Sequence, residues 1–268
     1  MTLWQIIVLA IVQGFAELLP VSSSAHVVVA EKIMGLDPSS PELTLLLVML
    51  HTGTMIAVTV YFWRRWQSEY GLRSLALIVA ATAVTGIIGE ALIRMIESIT
   101  HAEAEQLFGR LDLIALALAA VGVLILVAGL LDRASVAGDV GWKQAVLIGA
   151  VQGLCLPFRG FSRSGATIST GILAGVSRGR AEAFSFALAV LLTPPAIGRE
   201  ALRLIKSHPG ALAPAVLPSL FGAFFAFLAG LLALRWLSRW LETGRWHLFG
   251  IYCLIAAAAV ATLHHYGY

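Results

Sequence analysis

The sequence predicts an all-α polytopic membrane protein made of two inverted-topology repeats, each a re-entrant helix hairpin followed by three transmembrane helices. Three observations carry this. Of 268 residues, 59% are hydrophobic and 12% charged, with a mean hydropathy of +0.88, the composition of a chain that lives in lipid. Apolar runs long enough to cross ~30 Å of hydrocarbon at ~1.5 Å per residue recur along its length, leaving no stretch for a soluble catalytic domain. The chain also repeats itself: IIVLAIVQGFAELLPVSSSAH near the start resembles AVLIGAVQGLCLPFRGFSRSGAT past the middle.

The first repeat, residues 1–131, opens with a hairpin over 3–34, whose halves 3–19 and 22–34 meet at ELLPVSSSAH. Neither half reaches the ~20 residues of a full crossing. Spans over 43–63, 75–96 and 111–131 complete it. The second repeat, residues 144–268, has a hairpin over 144–176, with halves 144–157 and 163–176, then spans over 184–205, 213–234 and 247–263. Val12-Gln13-Gly14 falls on Val151-Gln152-Gly153, and Ser22-Ser23-Ser24-Ala25 on Ser162-Arg163-Ser164-Gly165. Three spans per copy is odd, so the second copy enters upside down and the two breaks meet near the midplane in one integrated membrane domain. Backbone at a break has lost its helical partners and survives there only against protein or a water-filled cavity, so the breaks are expected to line a polar site.

The net charge of +3 and pI near 9.1 point to membrane topology rather than to nucleic acid, because the basic residues fall between spans. Ten of the eighteen Lys and Arg lie on one face and six on the other, with Arg159 and Arg163 in the second break. The richer face is read as cytoplasmic, placing both termini outside. MTLWQ lacks a basic n-region, so the first apolar run is expected to stay in the mature protein. Cys155 and Cys253 read as small buried hydrophobes, Glu90 and Arg94 as a local pair one turn apart, and Gly14 and Gly153 as close-packing positions. Pro194-Pro195 should kink its span.

The breaks are built for an anion. Ser22 follows Pro20 at the start of a half-helix, where a serine can cap free amides and the helix N-terminus carries partial positive charge. Ser162 holds the equivalent place, with Arg163, Gly165 and Thr167 behind it. The arginine fork suits phosphate oxygens. His26 lies three residues after Ser23 and four after Ser22, hence on a shared face. Glu17 ends its half-helix one turn after Gln13, and a carboxylate there needs an arginine or a divalent cation nearby. Arg159 either reaches the cavity or snorkels away from it. His51, in LHTGT, has no acid or arginine near it in sequence.

VQGFAELLPVSSSAH and RGFSRSGATIS resemble the two signature motifs of the undecaprenyl-diphosphate phosphatases, the bacitracin-resistance family, and YFWRR, GVSR and EAFSFALAV follow in the family's order. The resemblance runs the length of the chain. It implies a multi-pass phosphatase of the bacterial inner membrane, taking undecaprenyl diphosphate to the monophosphate and phosphate with a divalent cation, Mg2+ or Ca2+. Carried over by position, Glu17 is the essential acid and holds the metal, Ser23 lies beside the scissile phosphate with His26 as its partner, and Arg163 binds phosphate. Ser22, Ser162, Ser164, Gly165, Thr167, Gln13 and Arg159 are the accompanying substrate-binding positions. Gln13 where the family also uses Glu, Ala25 before the histidine, Arg159-Gly160 for the usual Pro-Gly, and Cys253 for the usual arginine mark a divergent member. Expected partners are the polyprenyl diphosphate and membrane lipid, no nucleic acid, and a homodimer as the candidate assembly. The competing reading is a carrier or flippase for a polyprenyl phosphate or other anion, since broken helices in inverted repeats are a transporter plan. A nucleophile beside an anion site favours the enzyme.

Overall fold

The computed structural model describes residues 1–37, 40–100, 110–132, 138–207 and 212–266. Ten helices lie among them: α1 (Leu3–Leu18), α2 (Ser23–Ile33), α3 (Pro41–Glu69), α4 (Leu72–Thr100), α5 (Leu111–Leu130), α6 (Trp142–Cys155), α7 (Arg163–Leu173), α8 (Arg178–Ser207), α9 (Ala213–Glu242) and α10 (Trp246–His265). Six of these, α3 to α5 and α8 to α10, are long and apolar enough to cross a membrane. α3, α4, α8 and α9 run several residues past the expected spans, because a helix continues into water where charged side chains keep it soluble. The Arg65–Glu69 pair at 3.1 Å in the last turn of α3 is one such extension, and Glu90–Arg94 at 2.8 Å is the local pair the spacing indicated. Pro194 and Pro195 lie inside α8 without ending it.

The two halves interlock. α1 packs on α9, α6 packs on α4, α5 packs on α10 and α3 on α8, so exchanging the halves maps the first contact onto the second and each of the others onto itself. Small residues make this possible, since lipid offers no hydrophobic drive between helices and close van der Waals approach replaces it. At Gly14 a Cβ would lie 2.5 Å from Ala229 Cβ and 2.9 Å from Ala226 O on α9; at the repeat-equivalent Gly153 it would lie 2.9 Å from Ile88 Cβ and 3.0 Å from Thr85 O on α4. Thr85 seals the second contact by donating to Gly149 O at 2.9 Å while accepting from Gln152 Nε2 at 3.2 Å. Both glycines therefore act in packing. On the far side of α9, Ser238 accepts from Tyr61 on α3 at 2.9 Å and donates to buried Glu182 on α8 at 2.6 Å, tying three spans together.

Gly14→Ala should lower the unfolding midpoint in detergent, with overpacking costing about 1–3 kcal/mol. Gly198→Ala is the control. That glycine has nothing within 4 Å of a built Cβ, so the midpoint should stay or rise.

Candidate active site

The two pairs of short helices, α1–α2 and α6–α7, each break for a local reason. Pro20 disfavours helical backbone at Leu19, which is extended at φ −74°, ψ 153°, and α1 stops. The chain turns through Val21, whose amide donates to Leu19 O at 2.8 Å, and reaches Ser22 at φ 67°, the one non-glycine residue with positive φ among those described. Backbone there is strained for a residue with a Cβ, by about 1–3 kcal/mol. In the second break Gly160 takes φ +99°, and a Cβ on it would sit 2.5 Å from Ile114 O of α5, so only glycine fits. Ser162 then caps α7, accepting from Gly165 N at 3.2 Å. Ser22 differs from its expected role: its side chain makes no cap and lies instead 3.3 Å from Ser24 Oγ.

The breaks are bonded to each other and to α10. Leu19 O accepts from Ser164 Oγ at 3.3 Å, Pro20 O from buried Cys253 Sγ at 3.2 Å, and Ser24 Oγ accepts from Gly160 N at 3.4 Å. Glu17 is the hub. Its Oε2 accepts from Ser23 Oγ at 2.6 Å and Gln13 Nε2 at 3.2 Å, and its Oε1 from Arg163 Nη2 at 3.1 Å. The acid at the end of α1 thus meets an arginine from 146 positions away, the counter-charge its place at a helix C-terminus requires. Both side chains are largely buried, at 12% and 17% exposure. Arg163 Nη1 is buried and without a hydrogen-bond partner.

Around this pair opens a cavity of about 640 Å³, lined by Glu17, Ser22, Ser23, Ser24, Arg159, Ser162, Arg163 and Ser164, with His51 on one wall and Glu90 and Arg199 further out. Gln13, His26, Gly165 and Thr167 are not on its wall. Gln13 supports Glu17 from behind; Gly165 packs against Ile125 and Pro20; Thr167 donates to Arg163 O at 2.8 Å and lies 2.6 Å from Ser185 Oγ.

The spacing suggested a Ser23–His26 pair, but the structure gives each a different partner. The His26 Nδ1 lies 2.8 Å from Ser22 O, and since a carbonyl only accepts, Nδ1 carries the proton. Nε2 then accepts from Tyr252 O–H at 2.6 Å. Ser23 donates to Glu17 instead. Helical spacing put serine and histidine on one face, but the rotamers are set by Glu17 and Tyr252, which the local sequence does not place. His51 and Tyr252 are the residues that sequence reasoning underweighted. The polar LHTGT island in an apolar span is a signal for His51; nothing in sequence joins Tyr252 to His26.

Residues 6–259 match the family model described as bacitracin resistance protein BacA. The chain belongs to that family. Undecaprenyl-diphosphatase 2 of Acinetobacter baylyi is 53% identical across 98% of either chain. Undecaprenyl-diphosphatase 2 of Burkholderia ambifaria is 33% identical across 96% of this chain and 95% of its own, and undecaprenyl-diphosphatase of an Anaeromyxobacter species is 34% identical across 98% and 88%. The family match covers both breaks, five of the six long helices in full and α10 as far as residue 259.

Removing one partner of the buried pair strands the other charge, at about 3–5 kcal/mol. Arg163→Met should therefore lower the unfolding midpoint strongly, and adding Glu17→Gln should recover much of the loss. A double variant no more stable than Arg163→Met would show that the pair is not the source.

Proposed function

We propose that this protein is an integral membrane phosphatase that hydrolyses undecaprenyl diphosphate to undecaprenyl phosphate and inorganic phosphate, recycling the lipid carrier of cell-wall synthesis. Relatives named undecaprenyl-diphosphatase match nearly end to end. The observation that carries the reading is the unpartnered buried Nη1 of Arg163, an arginine that lines the same cavity as Ser23 and shares Glu17 with it. An unsatisfied buried guanidinium N–H is costly, and a phosphate oxygen is the acceptor its planar fork fits.

The residues then take these roles. Arg163 binds the terminal phosphate while remaining tied to Glu17. Ser23 is the favoured nucleophile, because its hydroxyl already donates to Glu17 at 2.6 Å, so the departing proton has an aligned acceptor. The serine oxygen bonds to the terminal phosphorus, the bridging P–O bond breaks, undecaprenyl phosphate leaves, and water releases the phosphate from serine. His26 acts as a positioning residue, its ring holding Ser22 O and Tyr252 and so the strained turn that presents Ser23. Ser162, Ser164 and Arg159 line the same cavity and are its further phosphate-binding candidates.

A divalent cation fits this site in one way. Among the described residues no group of three or more His, Cys, Asp or Glu is placed to cage a metal; Glu17 is the residue that would hold a divalent cation, with oxygens of diphosphate and water as its other donors, and the cation would neutralise charge on the phosphates.

The finer architecture belongs to the same proposal: two inverted repeats whose hairpins, α1–α2 and α6–α7, enter from opposite sides, with both termini periplasmic. Supporting it are half-helices of 16, 11, 14 and 11 residues, three long helices in each half, and contacts that exchange when the halves exchange.

Purified protein should release phosphate from undecaprenyl diphosphate and stop when chelator is added. Arg163→Lys should lose on the order of 10²-fold in rate while still folding, and Ser23→Ala should fall to near background. Substantial turnover by Ser23→Ala with no trapped phosphoenzyme in wild type would replace serine with water as the attacking group. Absence of hydrolysis with any cation would favour a carrier.

Topology is tested separately. In a background lacking Cys155 and Cys253, Ser68→Cys, at the exposed end of α3, should resist an impermeant thiol reagent added to intact cells. Labelling from outside would reverse the orientation. Ala137, the other natural probe position, lies outside the described residues.

A further inference from the structure

Beyond the Glu17 hub, the cavity is walled by two long helices. Gly86, Glu90 and Ile93 on α4 and Leu192, Ala196 and Arg199 on α8 line it, each set spaced by the three- and four-residue steps that keep side chains on one helix face. These two stripes are apolar except at Glu90 and Arg199. A polyprenyl diphosphate has a matching order: terminal phosphate, second phosphate, apolar chain. With the terminal phosphate at Ser23 and Arg163, the chain has the apolar stripes to lie against, and the second phosphate falls between the two.

Among the described residues, every other charge on this wall is answered by the protein. Glu17 accepts from Arg163 at 3.1 Å and has His51 Nε2 3.8 Å from its other oxygen. Glu90 is held by Arg94 at 2.8 Å. Arg159 is engaged, with the buried Glu31 carboxylate in its field. Arg199 is exposed, and no hydrogen bond or ion pair from the described residues reaches its guanidinium. Its own helix offers no acid either: Pro195, Ala196, Leu202 and Arg203 stand one turn away, and Glu200, next in the chain, does not share its face. A guanidinium keeps its charge in a protein, so the lining carries a positive charge that the protein leaves without a counter-ion.

We propose that Arg199 binds the phosphate that stays on the lipid. Negative charge builds on that phosphate as the bridging P–O bond breaks, and an arginine fork facing it stabilises the departing group. Arg163 and Arg199 then divide the diphosphate between them, one at the group attacked and one at the group that leaves. This rests on the phosphatase reading and adds a substrate-binding residue to it.

The test is binding to purified full-length protein in detergent, with undecaprenyl phosphate and uncharged undecaprenol as paired probes and inorganic phosphate present to fill the terminal position. Wild type should hold the lipid phosphate about 10-fold or more tighter than the alcohol, the worth of one charge-assisted contact. Arg199→Gln should erase most of that gap and Arg199→Lys should keep part of it; both should fold, since the side chain is exposed and bonded to nothing described. As an inhibitor of diphosphate hydrolysis, undecaprenyl phosphate should weaken by a similar factor in Arg199→Gln while inorganic phosphate keeps its potency. No gap in wild type, a gap that survives in Arg199→Gln, a gap lost as completely in Arg199→Lys, or equal weakening of both inhibitors each overturns the assignment. Phosphate release by wild type is measured in parallel. An active enzyme whose hold on the lipid phosphate ignores Arg199 removes this residue and leaves the phosphatase; a gap that needs Arg199 in a protein that hydrolyses nothing does the reverse.

Discussion

A helix broken inside hydrocarbon leaves amides and carbonyls that no water can reach, and each must be bonded within the protein. Here the bonds come from the opposite break and from α10. Ser164 and Cys253 take the carbonyls freed at Leu19 and Pro20, and Ser24 takes the amide of Gly160. Neither break is satisfied alone, which fixes their juxtaposition and forces the halves to interlock. The cavity is what remains between two ends of broken helix that cannot fill the space with apolar side chains.

The electrostatics follow from that juxtaposition. Glu17 comes at the end of α1, where the helix dipole is unfavourable to a carboxylate, and Arg163 at the start of α7, where it is unfavourable to a cation. Each is misplaced on its own helix and well placed beside the other, at 3.1 Å. The pair leaves one buried arginine donor over, and an unmade hydrogen bond of that kind is costly. The Ser23 hydroxyl is held at the same carboxylate, so the proposed nucleophile and the proposed phosphate-binding arginine share one anchor.

Packing around the breaks uses the same economy twice. Gly14 lets α1 reach the backbone of α9, and Gly153 lets α6 reach that of α4. These contacts join a short helix of one half to a long helix of the other, so the small residues that serve helix association also hold the breaks together. Tyr252, on α10, reaches across to His26 and extends the same cross-half bonding to the last span.

By itself the sequence determined the helical class, the six long apolar helices, the two breaks and the residues in them, because hydrophobic run length, Pro20, the serines and Gly160 act locally. It also marked Glu17 and Arg163 as charges needing partners, since an ionised group at membrane depth cannot stay unpaired. The tertiary structure alone decided which partners they found. Ser23 turned to Glu17 rather than to His26, His26 to Tyr252, and His51 to the face of Glu17, because these distances depend on how α1, α2, α3 and α10 pack, and helical spacing fixes only which side chains share a face, not what stands opposite that face.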